Sequence, residues 1–305
     1  MNRYFIIDCN YIAHKARFSV GELSYRGVPT NVLFGFLTQI LNIAENFINP
    51  KMIFCWDSKE SFRQQVFPEY KKKRYQSLSP AEEKSLYAAF DQMNLLCDEL
   101  LGEMGFRNNI RQPGLEGDDL MAKIVLDPRY SSYFFTMFAN DRDLYQLLSP
   151  RVDMMQAKYD GYCSYVFHFY GEKNFIEEFG ITTQQWVKVK QIAGCSSDEV
   201  PSCGRDFKDP GNIIARIGEK TACSHLLGKL KPTTKAYQRI NSAEGREVIE
   251  FNEQLVKLPH LMTKEITLQQ DELNFDNFKA ICERFGFNEL FYEKMDEWEL
   301  LFNND

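Results

Sequence analysis

Seven carboxylates in this chain sit where they could act together. Asp8 ends the apolar run Tyr4-Phe5-Ile6-Ile7, and Asp57 ends Met52-Ile53-Phe54-Cys55-Trp56. Asp141 and Asp143 follow the run from Tyr133 to Ala139. Glu116, Asp118 and Asp119 lie in Gly114-Leu115-Glu116-Gly117-Asp118-Asp119, just ahead of the apolar Leu120 to Val125. Packed at one place, such acids would repel and several would hold protons. Divalent cations remove that conflict, and an all-oxygen donor set selects hard Mg²⁺ or Mn²⁺ over zinc. Two such ions roughly 4 Å apart suit in-line hydrolysis of a phosphodiester.

The elements that must position these acids follow from the same runs. Each run is short and rich in β-formers, which predicts a strand buried on both faces. Amphipathic stretches from Asn31 to Phe47 and from Pro80 to Leu101 separate them and read as helices. Strands alternating with helices predict an α/β fold with a parallel sheet. Sites in such sheets form at the carboxyl ends of the strands, where these aspartates stand. The Glu116–Asp119 segment reads as a loop opening a helix. Glu116 and Asp119 share a face there and Asp118 points elsewhere. Taken alone, these could simply be acids complementing a helix N-terminus.

Other chemistries find little support. His14, His168, His225 and His260 are scattered and form no His-Glu-x-x-His helix, so each reads as a surface or core residue. No nucleophile elbow, Walker A loop or Gly-x-Gly-x-x-Gly follows a strand. None of the eight cysteines has Cys-x-x-Cys spacing, and reduced thiols in a cytosol are the expectation. The first apolar stretch ends at Asp8, too early for a signal peptide, and no apolar run reaches the ~20 residues of a membrane span.

Charge at first argues against nucleic acid. The formal net is −7 and the pI about 5.4, whereas phosphate binders are usually basic. The charge is unevenly spread, however. Residues 240–305 hold 15 acidic and six basic residues, leaving 28 acidic and 30 basic in the rest. Lys59 to Lys84 carry seven basic and four acidic residues, including Arg63, Lys71, Lys72, Lys73 and Arg74. That run reads either as a solvated helix face or as a phosphate-gripping element, with Tyr70 available to stack on a base. Residues 188–239 carry ten basic and five acidic residues around Ile217-Gly218-Glu219-Lys220-Thr221-Ala222. This reads as a turn into a helix, which is either a phosphate-binding N-terminus or an ordinary interhelical turn. A soft domain boundary falls near 180.

In this order the pieces resemble the 5′-nuclease family of flap endonucleases and bacterial and phage 5′→3′ exonucleases. The matching pieces are Ile6-Ile7-Asp8, Trp56-Asp57, Phe62-Arg63, Tyr70-Lys71-x-x-Arg74 and Glu116-Gly117-Asp118-Asp119. They continue with Asn140 to Leu147, Gly194-x-x-Ser197-Asp198, Ile217 to Ala222, and Asn252-x-x-Leu255-Val256-x-Leu258-Pro259. The resemblance spans roughly residues 4–260. It implies a PIN-like nuclease core over 1–182 with a helical arch at about 58–85. It also implies a helical DNA-binding region over 183–305, with a helix–three-turn–helix motif at about 188–239 and acidic C-terminal helices.

By that resemblance Asp8, Asp57, Glu116 and Asp118 would serve a first metal, and Asp141 and Asp143 a second, with Asp119 and Asp198 nearby. Two Mg²⁺ ions are implied, with Mn²⁺ substituting, and K⁺ at the hairpin. Lys71 and Arg74 would contact the scissile phosphate. Gly218, Lys220 and Thr221 would hold duplex, and Arg63, Tyr70, Lys72 and Lys73 would face DNA. Branched or 5′-ended DNA is the implied partner, alongside a replication polymerase or single-strand-binding protein. A monomeric, stand-alone nuclease in the cytoplasm of a bacterial or phage-infected cell is expected.

Three departures stand out. Cys195 replaces the first aspartate of the family's Gly-Asp-x-x-Asp-Asn pattern, and Glu199 replaces the asparagine. The stretch from Ser202 to Arg216 is longer than the usual Pro-Gly connection, and Arg216 replaces a hairpin glycine. Two rival readings stay open: a ribonuclease of the same fold acting on RNA–DNA hybrids, and a junction-binding protein with impaired catalysis.

Overall fold

The structure is a computed structural model that describes residues 3–159, 165–206, 212–288 and 292–302. Cys163 and residues 207–211 of the long Ser202–Arg216 stretch lie outside the described residues. Six strands form one sheet: β1 (Arg3–Asp8), β4 (Lys51–Trp56), β5 (Asn109–Arg111), β6 (Phe134–Phe138), β7 (Val152–Tyr159) and β8 (Tyr165–Tyr170). Two short strands, β2 (Ser24–Tyr25) and β3 (Val28–Pro29), pair separately as a hairpin. The sheet order is β5-β4-β1-β6-β7-β8. All neighbours are parallel except β7 and β8. The three strands expected from the apolar runs are its centre. The short β5 and the outer β7 carry no comparable apolar run, and β8 (Tyr165-Val166-Phe167-His168-Phe169-Tyr170) is interrupted by His168.

Burial on both faces explains those runs. Phe5 and Ile7 point to one side with Phe54 and Trp56, packing on α1 (Cys9–Ser19), α2 (Asn31–Asn46) and α4 (Pro80–Leu95). Tyr4, Ile6, Ile53, Phe135 and Met137 point to the other. There they meet α6 (Gly117–Val125), α8 (Thr183–Ala193), α9 (Glu219–Leu226) and α11 (Ala243–Val256). The period of two along each strand divides one sheet between two cores. Between α2 and α6 the chain also forms α3 (Phe62–Val66) and the short α5 (Leu101–Glu103).

The second core crosses the boundary expected near 182. Trp186, Val189, Ile217 and Val248 pack in the same cluster as Ile6 and Met137. The region after 183 is helical among its described residues, adding α10 (Lys235–Asn241), α12 (Phe275–Phe285) and α13 (Met295–Phe302). The last two helices return to the first core, where Phe278 and Trp298 are fully buried. α7 (Glu172–Phe179) links β8 to α8. No described helix is long and apolar enough to cross a membrane.

Candidate active site

Because β1, β4 and β6 are adjacent and parallel, their carboxyl ends lie along one edge of the sheet. Asp8 is the last residue of β1 and also the N-cap of α1, accepting from Tyr11 N–H at 2.9 Å. Asp57 follows β4, accepts from Gly117 N–H at 2.8 Å and donates its own N–H to the Asn10 side chain at 2.9 Å. Gly117 is the close point of that packing. A Cβ there would lie 3.3 Å from Cys55 O and 3.4 Å from Asp57 Oδ1. Asp118 enters from the first turn of α6. Asp141 follows β6 and accepts from Asp143 N–H at 2.7 Å.

The acids feel one another. Burial pushes the Asp8 carboxyl up to about 7, and the negative charges of Asp57 and Asp141 add to the shift. Burial also raises Asp118 well above the usual carboxylate range, with Asp141 and Asp8 as the next causes. Asp57 is raised by burial while Lys71 opposes the shift. Buried carboxylates that would rather keep their protons are the state a divalent cation relieves. Asp8, Asp57, Asp118 and Asp141 would supply the oxygen donors that a hard divalent ion takes.

Glu116 differs from these four. Its carboxylate accepts from Lys71 Nζ at 2.7 Å and from the Tyr70 hydroxyl at 3.1 Å. Burial alone would raise it, yet Lys71 and Arg63 outweigh burial and hold it below its ordinary value. Lys71 takes a left-handed backbone with φ 54°, and its N–H donates to Asp198 O at 3.1 Å. A non-glycine residue in that conformation costs of order 1 kcal/mol and needs such anchoring. The segment after β4 is thus strapped over the carboxylates at both Glu116 and Asp198. Lys72, Lys73 and Arg74 are exposed on its outer side, with Arg74 3.5 Å from Asp198 Oδ1.

Three residues stand differently from the sequence-based expectation. Asp119, expected near a metal, is fully buried and held by scaffold donors, among them the Glu116 N–H at 3.2 Å. Its oxygens accept from Arg63 Nη1 at 2.6 Å and Nη2 at 2.8 Å, and from His260 N–H at 2.7 Å. It leaves no oxygen open to an ion. Arg63, expected on DNA, is 2% exposed and also donates to Leu255 O at 2.8 Å. Tyr70, expected as a stacking surface, is 4% exposed and hydrogen-bonded to Glu116. In each case a partner distant in sequence decides the outcome. Asp119 is adjacent to Asp118, but the roughly 100° rotation between successive helical residues sends the two into different surroundings.

A second corner lies where α8 ends. Gly194 has φ +68°, and a Cβ there would come within 2.4 Å of Val200 O, so the turn needs glycine. The turn brings Cys195 and Asp198 to Asp143, with donor atoms of all three within 4.8 Å of one another. Burial, then Asp141, pushes Asp143 up to about 6 against the pull of Lys190. Burial likewise raises Asp198 and the Cys195 thiol. Lys190 was not anticipated. Its ammonium is 2.7 Å from Asp143 Oδ1 and 3.4 Å from Glu219 Oε1. Its signal was a lysine on the apolar face of α8, one turn after Trp186 and next to Val189. Glu219 also takes Arg142 Nη1 at 2.7 Å, tying the start of α9 to this corner. At that start Gly218 and Lys220 are exposed and Thr221 is half-buried.

The model of the 5′-3′ exonuclease N-terminal resolvase-like domain matches residues 3–180, which contain the four clustered aspartates. The chain belongs to the 5′-3′ exonuclease family. A member named 5′-3′ exonuclease from Bacillus subtilis is 30% identical over 227 residues, covering 72% of this chain and 68% of that protein. Thermostable DNA polymerase I of Thermus thermophilus is 26% identical over 303 residues, covering 95% of this chain and 33% of that protein. The chain therefore spans about a third of the length of its DNA polymerase relatives.

Solved structures share the exonuclease fold at lower identity. A bacteriophage T5 flap endonuclease, in a complex with DNA and metal ions, superposes with a TM-score of 0.65 at 18% identity. That match covers 98% of this chain and 99% of the other. Flap endonuclease-1 from Methanococcus jannaschii gives a TM-score of 0.58 at 15% identity, covering 98% and 91%.

Proposed function

We propose that this chain is a divalent-metal-dependent 5′-nuclease that hydrolyses DNA phosphodiesters near single-strand/duplex junctions, as 5′→3′ exonuclease and flap endonuclease. The observation that carries the reading is the convergence of Asp8, Asp57, Asp118 and Asp141 at one sheet edge, with Asp8 pushed up to about 7. Membership of the exonuclease family supplies the substrate class. A hard ion such as Mg²⁺ held there would lower the pKa of water and offset charge on the phosphate.

The protein's own groups have complementary tasks. Lys71 offers an ammonium to the scissile phosphate when it leaves Glu116, and Arg74 offers a guanidinium beside it. Lys72 and Lys73 attract the strand electrostatically from the outer side of the strap. Gly218, Lys220 and Thr221, at the start of α9, hold downstream duplex by its phosphates. Arg63 and Asp119 act indirectly, by fixing the start of α6 from which Asp118 projects.

The test is cleavage of a 5′-flap DNA with and without Mg²⁺. Asp57→Asn and Asp141→Asn each lower the Mg²⁺-dependent rate at least about 10²-fold while largely sparing DNA binding. A fully active double variant refutes the assignment. Matched RNA and DNA flaps in the same assay separate the DNA nuclease from a hybrid-cleaving ribonuclease.

A further inference from the structure

The strap reaches into the acidic cluster with one ammonium. The Lys71 side chain is 19% exposed, and its Nζ stands 2.7 Å from Glu116 Oε2, on a carboxylate that is itself 11% exposed. The same Nζ lies 5.1 Å from the centre of the Tyr70 ring. Burial would lower the ammonium, yet Glu116, Tyr70, Asp198 and Asp57 hold it well above the ordinary lysine range. The influence runs both ways. Burial raises Asp8, Asp57, Asp118 and Asp198, and the Lys71 charge opposes the rise at every one of them. A single flexible side chain thus acts as counter-ion to Glu116 and to these four aspartates.

A divalent cation would compete with that ammonium for the same negative charge. It brings two charges where Lys71 brings one, and it takes its oxygens deprotonated. Glu116 Oε2 already accepts from Lys71 Nζ at 2.7 Å and from the Tyr70 hydroxyl at 3.1 Å, so it can turn to an ion only when the ammonium withdraws. The strap has few other ties. Tyr70 sits in a small apolar cluster with Val200, Leu255 and Val256, separate from both cores of the sheet. The Lys71 N–H donates to Asp198 O, and φ at Lys71 is 54°, a conformation that a lysine keeps only under restraint. Lys72, Lys73 and Arg74 follow on the exposed side.

We propose that Lys71 is an exchangeable counter-ion, so that loading of a divalent cation expels its ammonium from Glu116 and loosens the strap from Tyr70 to Arg74. The exchange trades an ion pair for coordination. Lysine leaves as the ammonium, so no covalent bond forms and no proton moves. Linkage makes the effect reciprocal: the factor by which Lys71 weakens the metal is the factor by which the metal weakens the Lys71–Glu116 contact. Release of the strap is thereby tied to metal loading, and the ammonium turns toward a phosphate on the loaded protein. The proposal rests on the metal-dependent reading above, but its test requires no turnover.

The test is calorimetric titration of the full chain with Mg²⁺ alone, beside hydrogen exchange of the strap amides followed by mass spectrometry with and without Mg²⁺. Lys71→Met keeps the length of the side chain and drops its charge, and it binds Mg²⁺ at least roughly tenfold more tightly than the parent. Lys71→Arg keeps the charge and stays with the parent. In the parent, Mg²⁺ speeds exchange across residues 69–74. In Lys71→Met that exchange is fast from the start and Mg²⁺ adds nothing. Circular dichroism verifies that each variant is folded. Unchanged or weaker Mg²⁺ affinity in Lys71→Met, or parent strap amides that Mg²⁺ leaves unchanged or slows, overturns the proposal. Asp57→Asn is titrated alongside. If it binds Mg²⁺ as the parent does, the metal reading itself fails, whereas its loss of binding beside an unmoved parent strap refutes the exchange alone.

Discussion

Replacing Asp119 with alanine separates a structural carboxylate from a metal ligand. Asp119 is fully buried and receives two guanidinium N–H groups, the His260 N–H and the Glu116 N–H. Its removal leaves Arg63, whose side chain is 3% exposed, with Glu116 at 3.9 Å as its nearest carboxylate. Breaking a buried ion pair from one side costs about 3–5 kcal/mol, mostly from the charge left behind. The two stranded backbone donors would add about 1–3 kcal/mol each if they found no water. These terms overlap, and local relaxation admits water, so about 4 kcal/mol is the working figure. At this chain length a kcal/mol moves the thermal midpoint by roughly 2 °C, giving a fall of about 8 °C. Differential scanning calorimetry in chelator measures it without any contribution from metal. Arg63→Met combined with Asp119→Leu should recover most of the loss, because it removes both charges. If Asp119→Ala leaves the midpoint unchanged while abolishing Mg²⁺ binding, the assignment of Asp119 to the scaffold is refuted.

Asp8→Asn tests the electrostatic conflict at the sheet edge. The folded Asp8 value of about 7 lies above the unfolded one, so its stabilising contribution is full below about pH 4 and is lost as pH rises through 7. In chelator the variant should therefore melt above the parent at pH 8 and lose that advantage near pH 4. A variant that melts lower than the parent at pH 8 contradicts the coupling. Tyr70→Phe removes a hydroxyl that donates to Glu116 at 3.1 Å and should cost about 1 kcal/mol with single-strand affinity unchanged. Tyr70→Ala read by fluorescence anisotropy completes that pair, since stacking on a base would be worth about 1–3 kcal/mol of binding.

Local pattern was enough for the centre of the fold. Three apolar runs ending in aspartate placed β1, β4 and β6, because strands buried on both faces leave a continuous apolar signature. The same runs put Asp8, Asp57 and Asp141 along one edge, since parallel neighbours must end together, and Asp118 joins them from the first turn of α6. Local pattern was not enough where the deciding partner is remote. Arg63 finds Asp119 across 56 residues and Leu255 across 192, so a basic residue in a basic run became a core residue. Lys190 and Asp143 likewise meet only because α8 packs against the loop after β6. Helical spacing could have singled out Lys190 as a charge on an apolar face, but its partner depends on topology.

The cooperative unit of this protein is longer than the stretch its family model recognises. The family-model match ends at residue 180, in mid-core, although likeness to relatives runs over 95% of the chain. Trp186 is completely buried and donates to Arg142 O at 2.7 Å, inside the loop that carries Asp141 and Asp143. Trp298 is completely buried against Phe278, 118 residues beyond that limit. A fragment cut at the family boundary would keep the four clustered aspartates yet lose the walls that hold two of their neighbours in place. Transplanting this chain, or recombining it with a relative, requires a junction beyond Phe302 rather than one at the edge of the family-model match.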